Sequence, residues 1–182
     1  MMNKDNLELR MYGFIPYQLK GIQGGIQYGH AVVEYSRLVN NLPILEEQYN
    51  DWADNWKTFI IYNGGTTNDN KKHYGSMQTF RNQLKENNIT FAEFREPDLG
   101  DLLTGVVYIA DERCFNIDKY PDFKSIFFDE VYDIYDYDEC IKTYDSYPNK
   151  ETLNDYKNWV ESIGGKKNLF LRKFNKQFKL AT

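Results

Sequence analysis

The first residues whose types and spacing could support chemistry form a glycine-rich segment near the amino terminus. Residues 21–31 read Gly-Ile-Gln-Gly-Gly-Ile-Gln-Tyr-Gly-His-Ala. Glycines at 21, 24 and 25 permit a tight turn and the close approach of a ligand. If a helix begins here, its unbonded N–H groups favour a phosphate or a carboxylate. The spacing matches neither a Walker A loop nor Gly-x-Gly-x-x-Gly, so a plain strand-to-helix connection is the alternative.

Two pairs of polar residues are further candidates. His30 and Glu34 lie four positions apart and would share a helix face, where they can orient a base. A metal site needs more ligands, and His73 is the only other histidine; the plainer interpretation is a histidine bonded to a neighbouring group. Glu96 and Asp98 lie in a predicted loop, where a carboxylate can act as a general base if the glycine turn is adjacent. Solvated loop acids are the alternative.

Alternating apolar runs and helical patterns predict the elements that must position these residues. Ser76 is a predicted N-cap, and the run at 57–62 is the clearest candidate for a central strand. Helical crossovers between the strands predict an α/β fold with a mixed sheet covered by helices. The predicted strands are 9–17, 57–62, 90–95 and 104–110, and the predicted helices are 21–40, a segment from 42, 77–87 and 149–163.

The last third of the chain differs in charge from the rest. Residues 129–145 are acidic and rich in tyrosine, which is typical of a solvated face or of a site for a basic partner. Residues 166–182 mix lysine and arginine with aromatic side chains, as nucleic-acid contacts do. Pairing of this tail with the acidic stretch explains it equally well. The predicted organisation is an α/β domain over 1–110 and an extension over 111–182 that packs on it.

Composition, net charge and cysteine spacing argue against several classes of protein. The 182 residues carry a formal net charge of −5, which argues against nucleic-acid binding by the whole surface. Cys114 and Cys140 are far apart and predict neither a disulfide framework nor a zinc site. The sequence contains no apolar run long enough to span a membrane and no signal-peptide core, so we expect a cytoplasmic protein with no membrane partner. Abundant asparagine, lysine and aromatic residues are typical of phages and low-GC bacteria.

Two stretches, taken with the order of elements, resemble the type 2 peptidyl-tRNA hydrolases. Residues 26–31, Ile-Gln-Tyr-Gly-His-Ala, are similar to the family's Ala-Gln-x-x-His-Ala helix start. Residues 84–97 and 104–106 are similar to its helix end, strand, short acidic motif and Thr/Gly-rich strand. The resemblance covers about residues 9–110. It implies a three-layer α/β sandwich with a small mixed sheet.

The resemblance also implies an activity and a set of site residues. The family cleaves the ester that joins a peptide to tRNA, without a metal, so no cofactor is expected and tRNA or a nucleotide-linked small molecule is the expected partner. The implied catalytic residues are Gln27, His30 and Glu96, which would polarise the carbonyl and a water molecule. The implied substrate-binding residues are Lys20, which would meet a phosphate, and Gln23, Gly24, Gly25 and Thr104.

The chain departs from the family pattern at several of these positions. Gln23 occupies the position of the family's turn lysine, and an amide cannot neutralise a phosphate or an oxyanion as an ammonium does. Glu96 replaces an aspartate and extends the carboxylate by one methylene. Pro97 and Asp98 replace the next residue of the motif and its glycine.

Two functions therefore stay open. The first is a carboxylic-ester hydrolase of the peptidyl-tRNA hydrolase type. The second is a non-catalytic phage accessory protein that keeps the scaffold and binds a host or virion protein through 129–145 or 166–182.

Overall fold

A computed structural model describes residues 7–40, 42–123, 141–142, 145 and 150–181. The chain forms two compact units, Met1–Asp111 with Phe178–Thr182, and Glu112–Gln177. The last five residues of the chain therefore belong to the first unit.

The first unit is built on a four-stranded sheet. Its strands are β1 (Leu9–Ile15), β2 (Thr58–Asn63), β3 (Ala92–Glu96) and β4 (Leu102–Asp111), in the spatial order β2-β1-β4-β3. β1 is parallel to β2 and antiparallel to β4, and β4 is antiparallel to β3. The predicted α/β fold with a mixed sheet is confirmed. Because β1, β2 and β3 run in the same direction, their carboxyl ends lie along one boundary of the sheet. We call this boundary, which runs across the strands, the carboxyl-terminal edge.

The prediction that residues 57–62 form a central strand is wrong, because β2 lies at an edge of the sheet. Its outer side is covered by the end of the chain. Asn63 N–H donates to the Lys179 carbonyl and Ala181 N–H donates to the Ile61 carbonyl, each at 2.9 Å. An apolar, β-branched run is typical of a strand with neighbours on both sides, and here a segment far away in sequence supplies the second neighbour.

Five α-helices occur in the described part of the chain. They are α1 (Ile22–Val39), α2 (Pro43–Asp51), α3 (Ser76–Glu86), α4 (Lys150–Ser162) and α5 (Lys166–Lys176). A short π-helical turn, Trp52–Trp56, follows α2. The strand–helices–strand–helix–strand–strand order predicted for the first unit is confirmed, as is the helix at 149–163. Gly75 occupies the N-cap of α3, so the prediction of Ser76 as its cap is wrong.

Helices cover both faces of the sheet in the first unit. Side chains of β1 alternate between the two faces. Met11 joins the core cluster that also holds Tyr28 of α1. Phe14, on the other face, meets Phe80 of α3 with the ring centroids 5.8 Å apart, and stacks on Phe178 at 5.7 Å.

The second unit contains a helical hairpin. α4 and α5 are joined at Gly164 and Gly165, whose φ angles of 92° and 84° favour glycine. Its core holds Tyr156, Val160, Ile163 and Leu169. The guanidinium of Arg172 is buried and donates to the carbonyls of Arg113 and Tyr120 and to the carboxylate of Asp122. The acidic stretch 129–145 lies outside the described residues, apart from 141, 142 and 145.

The contact between α1 and β4 depends on Gly105. A Cβ at this position would lie 2.7 Å from the Gln27 carbonyl oxygen and 3.0 Å from the Ala31 Cβ. We expect Gly105→Ala to lower the free energy of unfolding by about 1–3 kcal/mol, as overpacking does. Gly29→Ala is the matched control, because its Cβ would meet nothing within 4 Å. Urea denaturation should show Gly29→Ala more stable than the parent by about 0.5–1 kcal/mol; equal stability of the two variants would contradict this packing.

Buried tyrosines predict a loss of stability at alkaline pH. Burial raises the pKa of Tyr28 and Tyr35 well above the usual range, and raises the pKa of Tyr62 to about 12. Unfolded tyrosines ionise near pH 10. Above that pH the folded chain keeps protons that the unfolded chain releases, so the free energy of unfolding should fall as pH rises from 10 to 12. Urea denaturation across pH 8–12 checks this, and Tyr28→Phe should give a shallower fall over the same window. A flat profile would contradict the buried environment of these rings.

Candidate functional site

The centre of the candidate site is the side chain of Gln27. It lies in the second turn of α1 and is only 9% exposed. Its Nε2 donates to Oε2 of Glu96 at 2.5 Å, and its Oε1 accepts from the Thr104 hydroxyl at 2.6 Å. These partners are 69 and 77 positions away in the sequence. A carboxylate can only accept, so the amide nitrogen must face Glu96 and the amide oxygen must face Thr104.

Glu96 is held at the end of β3 by the turn that follows it. Pro97–Leu99 forms a 3-10 turn, and Gly100 and Asp101 adopt left-handed conformations. Asp101 N–H returns to the Glu96 carbonyl at 3.0 Å. In the part of the chain that the structure describes, Oε1 of Glu96 has no hydrogen-bond partner. Gln27 thus fixes one carboxylate oxygen of Glu96.

His30 lies about one helical turn beyond Gln27 and is exposed. Its ring contacts the ring of Phe94 in β3, with the centroids 4.5 Å apart. Within the described residues it has no hydrogen-bond partner. Glu34, its predicted neighbour on the helix face, pairs with Arg37 at 3.2 Å. The ring of Phe94 therefore orients His30 through packing.

The remaining predicted residues lie around the start of α1. Gly21 is the N-cap, with a φ angle of 57° and no side-chain cap. Gly24 is packed closely, since a Cβ there would lie 2.8 Å from the Leu19 carbonyl oxygen. Lys20, Gln23 and Gly25 are exposed, and no hydrogen bond or ion pair joins them to Glu96 in the described structure. The fold thus brings Gln27, Glu96 and Thr104 together, with His30 nearby on the same helix.

Sequence reasoning missed a group of residues that stabilises the loops at the carboxyl-terminal edge of the sheet. Arg95 donates to the Asp69 carboxylate at 2.7 Å and to the Asp101 carbonyl at 3.1 Å. The hydrogen bond that Arg95 donates to Asp69 is the largest influence on its guanidinium and raises the pKa of that group. The glycine, asparagine and aspartate content of residues 63–69 predicted a loop but gave no signal for this long-range pairing.

No group of three histidine, cysteine or acidic side chains among the described residues is placed to hold a metal ion. None of the described helices has the length and apolar character needed to cross a bilayer.

Comparisons with known proteins identify no relative. The chain matches no protein-family model, no curated protein and no solved structure.

The hydrogen bond between Thr104 and Gln27 predicts a measurable stability cost. Thr104→Val keeps the shape of the side chain and leaves Oε1 of buried Gln27 without its donor. We expect the free energy of unfolding to fall by about 1–3 kcal/mol. Urea denaturation measures it, with Thr90→Val as the control, which we expect within about 0.5 kcal/mol of the parent. Adding Gln27→Leu should cost less than the sum of the two single changes, because both partners are then removed. Additive losses would contradict the pairing.

Proposed function

We propose that the protein hydrolyses a carboxylic ester in a tRNA-linked or nucleotide-linked substrate. The observation that carries the proposal is the bridge that buried Gln27 makes between Glu96 and Thr104. The resemblance to type 2 peptidyl-tRNA hydrolases picks out these three residues from separate parts of the sequence. A side-chain amide buried between a carboxylate and a hydroxyl fits the positioning of a catalytic carboxylate.

The proposed reaction uses Glu96 as the general base. A water molecule on its Oε1 gives a proton to the carboxylate while the water oxygen attacks the ester carbonyl carbon. The tetrahedral oxyanion collapses, the bond between carbon and the leaving oxygen breaks, and that alkoxide oxygen takes a proton to become a hydroxyl group. His30, the other predicted catalytic side chain, is proposed to supply that proton. Gln27 and Thr104 act as positioning residues in this scheme, since they hold the carboxylate through its other oxygen.

The start of α1 provides the second part of the proposal. Its first-turn N–H groups lack a side-chain cap, and such groups favour anions. Lys20 lies two residues before the helix and is exposed. A phosphate of the substrate is proposed to bind at this end of the helix.

The alternative is a non-catalytic phage accessory protein that binds a host or virion protein. The exposed amide of Gln23 at the position of the family's turn lysine favours it, because an essential cation is then absent from that position. Its proposed binding surface is 129–145 or 166–182. Within the tail, α5 buries Leu169, Leu171, Arg172 and Phe174 and leaves several lysines outward.

Hydrolysis of an N-acetylated aminoacyl-tRNA tests the first proposal. We expect Glu96→Gln to lower kcat by on the order of 100-fold or more, the usual contribution of a general base. Thr104→Val should lower kcat less than Glu96→Gln does. It should also change the pH profile of kcat, because it alters the position of the Glu96 carboxylate through Gln27. Asp101→Asn is the control: it removes an exposed carboxylate nearby and keeps a residue type that tolerates the left-handed conformation.

The outcomes separate the two functions. Turnover that is lost in Glu96→Gln and kept in Asp101→Asn supports the hydrolase. If the parent protein releases no acyl group above background, the hydrolase proposal is excluded. The accessory protein then predicts a partner that the full chain captures and that is lost when the seven acids of 129–145 are changed to amides.

A further inference from the structure

The loop between β2 and α3, residues 64–75, is the feature that the proposed chemistry leaves unexplained. It is bound to the loop between β1 and α1, because Tyr17 N–H donates to the Gly65 carbonyl at 2.8 Å and Gly64 N–H donates to the Ile15 carbonyl at 2.7 Å. Both loops follow the carboxyl ends of parallel strands. Open α/β sheets bind their ligands at this edge.

Side chains from α3 fix the base of this loop. Gln78 is 3% exposed; its Oε1 accepts from Asn68 N–H at 3.0 Å, and its Nε2 donates to the Thr67 hydroxyl at 3.0 Å and to Asp69 at 3.1 Å. The Ser76 hydroxyl accepts from Thr66 N–H and donates to the Gly64 carbonyl, each at 2.8 Å. These hydrogen bonds fix the first part of the loop, residues 64–69, against the start of α3.

The braced loop presents cations and an aromatic ring to solvent. Lys71, Lys72 and Tyr74 are exposed, and Tyr74 is 46% exposed. The adjoining loop adds Lys20 and Tyr17, which is 54% exposed. None of the three lysines has an ion-pair partner among the described residues. We call these five residues the lysine–tyrosine surface.

Acids also lie on the loops at this edge of the sheet. Asp69 is paired with Arg95. Glu96, Asp98 and Asp101 belong to the loop after β3, which is the strand farthest from β2. Because Arg95 neutralises Asp69, the acid of the loop between β2 and α3, the exposed side chains of Lys71 and Lys72 favour a polyanion here.

We infer that the lysine–tyrosine surface binds the single-stranded end of the RNA that carries the ester. Phosphates contact Lys71 and Lys72, and a base stacks on Tyr74; cations mixed with aromatic rings are the usual means of binding single strands. The inference rests on the proposed function, and it names which part of the substrate this loop holds. It differs from the basic tail at 166–182, where Arg172 is buried and Lys176 pairs with Asp122.

Binding of deacylated tRNA, measured by fluorescence anisotropy between 50 and 200 mM salt, tests the inference without any turnover. The test variant is Lys71→Gln/Lys72→Gln. The matched control is Lys57→Asn/Lys85→Gln, which makes the same change in net charge at the amino-terminal edge of the sheet; asparagine suits the left-handed backbone of Lys57. Thermal unfolding of each variant confirms that it is folded.

We expect the test variant to bind about ten-fold more weakly at 100 mM salt. The slope of log K against log salt should become shallower by about 1.4, which corresponds to two lost contacts with single-stranded phosphates. The control pair should keep the slope of the parent. Tyr74→Ala should weaken binding about five-fold or more, and Tyr74→Phe should not, because stacking needs only the ring.

Equal losses in the test and control pairs, or no affinity of the parent for tRNA, would overturn the inference; the latter outcome would favour a protein partner. Binding with the expected pattern but without hydrolysis would support the lysine–tyrosine surface as an RNA-binding site and exclude the proposed catalysis. The two ideas therefore fail separately.

Discussion

A buried amide that needs both a donor and an acceptor sets the position of α1 on the sheet. Gln27 finds the acceptor at the end of β3 and the donor in β4. Leaving either group unpaired in the interior would cost more than a typical hydrogen bond gains. The helix can meet this requirement only if its backbone comes close to the sheet, and Gly105 permits that approach. Packing and polar pairing thus select the same arrangement.

The two edge strands of the sheet, β2 and β3, differ in what lies beside them. The β2 edge is covered by residues 179–181, and Phe178 packs with Phe14 and Phe80 beside it. β3 pairs only with β4 among the described residues, and it has the features that discourage further strand pairing. It is five residues long, has an irregular register at Phe94 and Arg95, and carries paired charges. The terminal residues consequently contribute to the stability of the first unit, whereas no described segment adds a strand to β3 beside Glu96.

Charge is divided along the carboxyl-terminal edge of the sheet. Lysines lie on the loops after β1 and β2, and acids lie on the loop after β3. The ion pair with Arg95 neutralises Asp69, which is the one acid in the loop after β2. A chain with a net charge of −5 can in this way present a local cationic surface. This division is the physical link between the proposed chemistry at Glu96 and the proposed contact with RNA.

The sequence by itself determined the elements and their order, because hydrophobic periodicity, glycine turns and helix-stopping asparagines act over a few residues. It also marked His30 and Glu96 as candidates, and the resemblance to a known family added Gln27 and Thr104. Only the tertiary structure decided that β2 is an edge strand, that Gln27 joins Glu96 to Thr104, and that Arg95 and Gln78 brace the loop after β2. Each of those contacts joins residues whose partners are chosen by packing and by the pairing of buried polar groups, and neither requirement leaves a periodic pattern in the chain.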